Sequence, residues 1–307
     1  MSGDKPAPLH GWLILDKPHG LGSTQAVAAV KRALREGGEA KTKVGHGGTL
    51  DPLAQGVLPI ALGEATKLAG RMLDASKVYN FTIAFGVQTD TLDLEGAVVA
   101  ESRVRPTRGA LDAILPHFTG PIEQAPPAYS AIKIDGQRAY ELARAGETVE
   151  MKTRAVEIMS LAVTDAAGSN DDALDAITLT AHVSKGTYIR SLARDIALAL
   201  GTVGHVTYLR RTKAGPFGLN GAISLDLLTD AARERRVASL VRPLAEGLDD
   251  IPARTVTAQQ AVALKQGKVL DADPRISGLC LAMHDNVPVA LVEGSAEGIT
   301  VVRGFNL

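Results

Sequence analysis

At 307 residues and 45% hydrophobic content, the chain can bury a sizeable core, which argues against a disordered protein. The start, MSGDKPAPLHGW, has no basic stretch leading into an apolar one, and no apolar run reaches membrane-spanning length. The lone Cys280 has no partner for an internal disulfide, so the expectation is a globular protein of the reducing cytoplasm.

Trp12-Leu13-Ile14-Leu15 reads as a short strand closed by Asp16-Lys17-Pro18 and Gly20. Ser23 is placed to cap a helix carrying Val27, Val30 and Leu34 at helical spacing. The stretch GHGGTLDPLAQG, residues 45–56, then interrupts all periodicity. GVLPIAL follows as a buried strand, and Glu64 to Leu73 as a helix. Tyr79, Phe81, Ile83 and Phe85 alternate with their neighbours, a period-two strand signature. Thr107 to Phe118 reads as a helix. Residues 121–153, with three prolines and an Asp135-Gly136 turn, read as a protruding insertion with a short helix that folds over a ligand. Strands are expected at Ala155 to Thr164 and around Ile177 to Val183, separated by the acidic AAGSNDD. A helix from Tyr188 to Leu200 closes at Gly201, and a strand covers Val206 to Arg211. A boundary falls near Pro243 to Pro252. Beyond it, Thr257 and Gln260 form a capping box, followed by short strands at Leu279 to Met283, Val287 to Val292 and Ile299 to Val302.

The net charge of −1 does not announce a nucleic-acid partner, but its distribution is uneven. Between residues 176 and 225 the only acid is Asp195, against Lys185, Arg190, Arg194, Arg210, Arg211 and Lys213. Lys31, Arg32, Arg35, Lys41 and Lys43 precede the glycine stretch. Such segregation lets a nearly neutral protein present a positive face to phosphates, although solvated helix faces have the same composition.

The chemistry narrows by elimination. One cysteine and seven scattered histidines give no metal-ligand spacing, and no phosphate-binding glycine fingerprint or nucleophile elbow is present, so no metal or cofactor is expected. In the glycine stretch, Gly45, Gly47 and Gly48 permit positive φ and close approach, and Pro52 biases Asp51 towards an extended conformation. A positioned, solitary carboxylate suits covalent nucleophilic work, while an Asp-Pro after glycines is also ordinary turn chemistry.

The segment GHGGTLDPLAQGVLPIALGEATK resembles the catalytic segment of the bacterial tRNA pseudouridine synthase B family. LDKPHG, KVYNFTIAFGVQTDTLDLEG, PPAYSAIKIDGQRAYELARAG, SKGTYIRSLARDIALALG and HVTYLRRTKAGPF agree with it in order, covering about residues 11 to 220. Gly47 departs from the threonine of many relatives. The resemblance implies isomerisation of uridine 55 in the tRNA T loop, without a cofactor, on a base flipped out of its stack. It assigns Asp51 as the nucleophile, adding to C6 of uracil or C1′ of ribose. Tyr79 becomes the ring that stacks on the base and helps remove the C5 proton, though its place beside Phe81, Ile83 and Phe85 also suits a core residue. Arg190 becomes the cation that pairs with the aspartate, where the bare sequence gives a solvated residue in the first turn of a helix. His46 is matched to the histidine that holds the flipped nucleotides, and Tyr188 to a wall of the uracil pocket. Lys17 and Lys185 are candidates for phosphate contact or support of the site. Asp90 is a candidate for a substrate hydrogen bond or for stabilising its own turn.

The fold expected from the family is α+β: a mixed, mainly antiparallel sheet with flanking helices over residues 1–250, and a small β domain resembling PUA modules over 251–307. The expected partner is the tRNA T stem-loop, with no obligate protein partner, no membrane and a monomeric state. Two other readings stand beside the isomerase: a non-catalytic RNA-folding module, and a subunit of a guide-RNA-directed complex. The Asp51, Tyr79 and Arg190 set favours the isomerase over the first. The lack of long lysine-rich extensions weighs against the second.

Overall fold

The computed structural model describes residues 7–130, 132–134, 136–147, 151–165 and 173–307. The acidic AAGSNDD, residues 166–172, lies outside the described residues. In chain order the elements begin with β1 (Gly11–Lys17), α1 (Ser23–Glu36), β2 (Val44–His46), β3 (Gln55–Leu62), α2 (Ala69–Asp74) and β4 (Lys77–Phe85). Next come β5 (Val87–Thr89), β6 (Val98–Glu101), α3 (Arg108–Ile114), β7 (Gly120–Gln124), β8 (Lys133–Ile134), β9 (Gln137–Arg138) and α4 (Ala139–Arg144). Then follow β10 (Arg154–Asp165), β11 (Ala176–Val183), α5 (Ile189–Ala199), β12 (Gly204–Ala214), β13 (Phe217–Gly218) and α6 (Leu225–Arg233). The last are β14 (Ala253–Thr255), α7 (Ala258–Lys265), β15 (Gly278–His284), β16 (Val287–Ser295) and β17 (Gly298–Gly304). The chain divides into two compact units: Met1–Asp51 with Val57–Leu73 and Gly215–Leu307, and Pro52–Gly56 with Asp74–Ala214.

The second unit is built on antiparallel strands in the order β12-β4-β11-β10-β7. The alternation in β4 does what its pattern predicts. Phe81, Ile83 and Phe85 are buried and pack with Ile177, Leu179 and Val183 of β11 and with Leu192, Ala193 and Ile196 of α5. Each such side chain contributes about 1.5–3 kcal/mol on leaving water, which is what holds α5 on this face. The opposite face is polar: the Thr82 and Thr178 hydroxyls bond at 2.9 Å, and Thr180 donates to Asn80 Oδ1 at 2.9 Å. One wet face is normal for an antiparallel sheet. Helix α5 ends as its glycine predicts, with Gly201 at φ +72° and the Thr202 N–H donating to the Ala197 carbonyl at 3.1 Å.

In the first unit β1 is buried from Trp12 to Leu15, and the Trp12 indole donates to the Leu244 carbonyl at 3.1 Å. Strand β3 pairs with β1 and β2, while α1 packs on α6. At the C-terminal end, β14-β15-β16-β17 form a sheet with its own core of Val256, Leu264, Cys280, Val289, Val292 and Ile299. The capping box that opens α7 is present, with Thr257 Oγ1 accepting from the Gln260 N–H and Gln260 Oε1 accepting from the Thr257 N–H.

Several expectations need correction. Ser23 is the first residue of α1, not its cap; Gly22 occupies that position, and the Ser23 hydroxyl is engaged with Leu50. The Glu64 to Leu73 helix is a 3₁₀ stretch, Gly63–Leu68, running into the short α2. Residues 120–124 belong to the sheet as β7, so the insertion begins after Gln124. Helix α6 and strand β14 escaped the sequence reading. Truncating Phe81 to alanine is expected to cost about 3–5 kcal/mol, read as a lower urea midpoint with an unchanged slope.

Candidate active site

Asp51 sits in an irregular stretch between β2 and β3 and is half-buried. On its N-terminal side, His46 pairs with Ile60 in the β2–β3 ladder, and the Gly47 N–H donates to the Pro59 carbonyl at 2.8 Å. The Ser23 hydroxyl accepts from the Leu50 N–H and donates to the Leu50 carbonyl, both at 2.8 Å. That clasp fixes the peptide immediately before the carboxylate. The glycines divide their work. Gly45 lies in β2, so the strand extends further into the glycine segment than its composition suggests. Gly48 alone of the three takes a positive φ, +140°. Gly47 is required for space, since a β-carbon there would lie 2.6 Å from Met72 Cβ. A threonine therefore cannot be seated at 47 unless Met72 withdraws. Lys17, in the same unit, is fully buried and donates to the Pro18 and Leu21 carbonyls at 3.0 and 2.6 Å. This burial rules out phosphate contact by Lys17 in this conformation and makes it a brace for the 18–21 turn.

On the C-terminal side of Asp51, Gln55 and Gly56 pair in parallel with Arg210 and Arg211 of β12. Gly56 has φ +103°, and a β-carbon on it would meet the Arg211 carbonyl oxygen at 2.2 Å. Only glycine permits that approach. Arg211 lies directly across β12 from Tyr79, and Ala181 flanks Tyr79 on the other side. Tyr79 itself is half-buried and packs against the core of this unit.

Arg190, the second residue of α5, is buried rather than solvated, which overturns the bare-sequence reading. Its Nη1 donates to the Thr91 carbonyl at 2.7 Å and lies 3.3 Å from Asp93 Oδ2, while Nη2 donates to the Tyr129 carbonyl at 3.0 Å. Asp93, also buried, accepts from the Thr91 hydroxyl at 2.5 Å and the Glu95 N–H at 3.0 Å. A buried guanidinium is tolerable only with such partners. Asp90, three residues earlier in the same loop, accepts from the Tyr129 hydroxyl at 3.2 Å. Burial first, and then the Asp90 charge and this bond, push the Tyr129 hydroxyl above its usual pKa. Tyr188, the residue preceding α5, donates its N–H to Gln124 Oε1 at 2.8 Å. Lys185 is exposed and pairs with Asp74 at 3.0 Å. Sequence reasoning missed Asp93 and Tyr129; the Thr91-Leu92-Asp93 spacing in QTDTLDLEG, which sets a hydroxyl two residues before a carboxylate, is the signal that points to the first. Among the described residues no cluster of His, Cys, Asp or Glu could hold a metal ion, and no helix is long and apolar enough to cross a membrane.

Residues 32–189 match the TruB family pseudouridylate synthase N-terminal domain, and residues 190–249 match the tRNA pseudouridylate synthase B C-terminal domain. The chain belongs to the TruB family of pseudouridine synthases. Proteins called tRNA pseudouridine synthase B are 61% identical in Novosphingobium aromaticivorans, over 97% of both chains, and 55% identical in Zymomonas mobilis, over 98% of both. A solved structure entitled a Cbf5-Nop10-Gar1 complex is similar with a TM-score of 0.70 at 25% identity, covering 97% of this chain and 85% of that one. The TruB family member described here is thus an isomerase with the α+β architecture of those synthases: a mixed sheet, flanking helices and a small C-terminal sheet.

Two outcomes follow for this TruB chain. Gly47→Ala is expected to destabilise the protein by about 1–3 kcal/mol through overpacking against Met72, seen as a lower melting temperature. Lys77 is buried beside Arg211 and Lys185, and burial followed by the Arg211 charge lowers its pKa to about 8. The unfolded chain then holds the extra proton between about pH 8 and the ordinary lysine value near 10.5, so stability rises with pH across that window. Lys77→Met should flatten this rise relative to wild type in melting curves taken from pH 7.5 to 10.

Proposed function

We propose that the chain isomerises uridine to pseudouridine in tRNA, at uridine 55 of the T loop, with Asp51 as nucleophile. Supporting this are the family membership, the substrate in the names of the relatives, and the motif blocks around residues 45–67, 77–96 and 184–201. The observation that carries the reading is the local fixing of Asp51. Its preceding peptide is clasped by Ser23, and the chain four and five residues later is held to β12. Positioning of this kind, not intrinsic basicity, makes a carboxylate an effective nucleophile.

In the reaction the N1–C1′ bond breaks and its electron pair leaves with uracil. The Asp51 carboxylate bonds covalently to C1′ or, by the other route, to C6 of the base. The base turns so that C5 faces C1′, the C5–C1′ bond forms, and the carboxylate is released. The C5 proton is removed and N1 takes up a proton, so no atom is gained or lost. Tyr79 is assigned to stack on the base and assist removal of the C5 proton, and Arg190 to supply the positive charge that favours an ionised carboxylate. His46 holds the flipped nucleotides, Tyr188 forms a wall of the uracil pocket, Lys185 meets a phosphate or supports the site, and residues 251–307 act as a PUA-like RNA-binding appendage. We assign the protein to the cytoplasm as a monomer without an obligate protein partner.

The test is tritium release from C5-labelled uridine in an unmodified tRNA transcript, with the modified position mapped. Wild type should release label from one T-loop uridine. Asp51→Asn should release none while binding tRNA within about tenfold of wild type. Full turnover by Asp51→Asn, or release from a uridine outside the T loop, overturns the corresponding part of the proposal.

A further inference from the structure

The segment that leaves β7 is gripped along its length by the first turns of α5. Gln124 Oε1 accepts from the Tyr188 N–H, and the Ala125 carbonyl accepts from the Ser191 hydroxyl at 2.8 Å and from Arg194 Nη2 at 3.2 Å. The Tyr129 carbonyl then accepts from Arg190. Residues 124–129 are therefore a strap laid across residues 188–194 and fastened at three places.

Tyr129 differs from the other fastenings because it faces two ways. Its backbone holds Arg190, and its hydroxyl reaches Asp90 in the 89–97 loop. That loop meets the same guanidinium from the other side, through the Thr91 carbonyl and Asp93. The loop is tightly built: Leu92 takes φ +63°, Thr89 Oγ1 donates to the Asp93 carbonyl at 2.6 Å, and a β-carbon on Gly96 would fall 2.1 Å from Asp90 Oδ1. With Gly96 packed against it, the Asp90 carboxylate is held where Tyr129 meets it. Strap, loop and guanidinium thus form a closed ring of contacts, in which the Tyr129–Asp90 bond is the one side-chain link from strap to loop among the described residues.

We infer that Tyr129 is a positioning residue for Arg190: its hydroxyl bond to Asp90 locks the strap to the 89–97 loop and so fixes the guanidinium between them. Asp90 is accordingly the acceptor of this lock. The inference rests on the assignment of Arg190 to the active site.

The experiment is a single-turnover assay at saturating enzyme with C5-tritiated tRNA transcript, run beside filter-binding affinity and thermal melting. Tyr129→Phe removes only the hydroxyl. It should slow the single-turnover rate about tenfold, in line with the steep cost of small misplacements, with affinity unchanged within about twofold. The melting temperature should stay near that of wild type. Asp90→Ala should show the same pattern, and the double variant should be no slower than the slower single one, since both remove one bond. An unchanged rate in Tyr129→Phe overturns the inference, as does a loss confined to affinity or a double variant whose losses multiply. Arg190→Lys separates the two levels. If it abolishes turnover while Tyr129→Phe keeps the full rate, the lock is wrong and the site assignment stands. If Arg190→Lys keeps the full rate, the site assignment falls and the lock with it.

Discussion

The buried guanidinium of Arg190 is the constraint around which the second unit is arranged. A charge that has lost its water must find acceptors on every side. Here they come from two parts of the chain, the Thr91 carbonyl and Asp93 from the 89–97 loop and the Tyr129 carbonyl from the strap, around a side chain carried by α5. Neither the loop nor the strap has the apolar periodicity that would place it by hydrophobic burial. They are placed by the arginine, and the core of Phe81, Ile83, Leu192 and Ile196 beneath α5 supplies the rigid floor from which the side chain extends.

A different device governs the Asp51 stretch. There the sequence uses small residues and one hydroxyl where a larger protein surface would use packing. Ser23 satisfies both backbone groups of Leu50, Gly47 clears Met72, and Gly56 lets β3 touch the Arg211 carbonyl. The hydroxyl ties down the peptide before Asp51, and the two glycines permit close approaches that a β-carbon would block. For a group proposed to form and break a covalent bond to a nucleotide, a fixed backbone on either side is what alignment requires.

Legibility followed the strength of the local signal. The period-two run of β4, the helical spacing of α5 with Gly201 behind it, and the Thr257–Gln260 box were readable because each carries its own physics within a dozen residues. Strand β7 was not: GPIEQ has a proline and no apolar run, and it is a strand because β10 offers it a ladder from Arg154 to Ile158. Helix α6 was passed over although the Ser224 hydroxyl caps it by accepting the Leu227 N–H. Of the site, Asp51 and Arg190 could be singled out by motif, but the burial of Arg190 and its partnership with Asp93 could not. Both depend on contacts about a hundred residues apart in sequence, such as Arg190 to Thr91. For Lys17 the sequence left two roles open, phosphate contact or structural support, and burial with two carbonyls of its own loop favours support.

The close approach of Gly47 to Met72 also bears on how this sequence can change over time. The two positions are twenty-five residues apart, yet they share one volume, so the side chain tolerated at either depends on the occupant of the other. A branched residue at 47 becomes accessible only along routes in which position 72 yields first. The order of substitution is thereby restricted: two homologues can each be well packed while the single-step hybrids between them are not. Swapping residues one at a time at positions 47 and 72 thus measures the coupling of the pair as much as the merit of either residue.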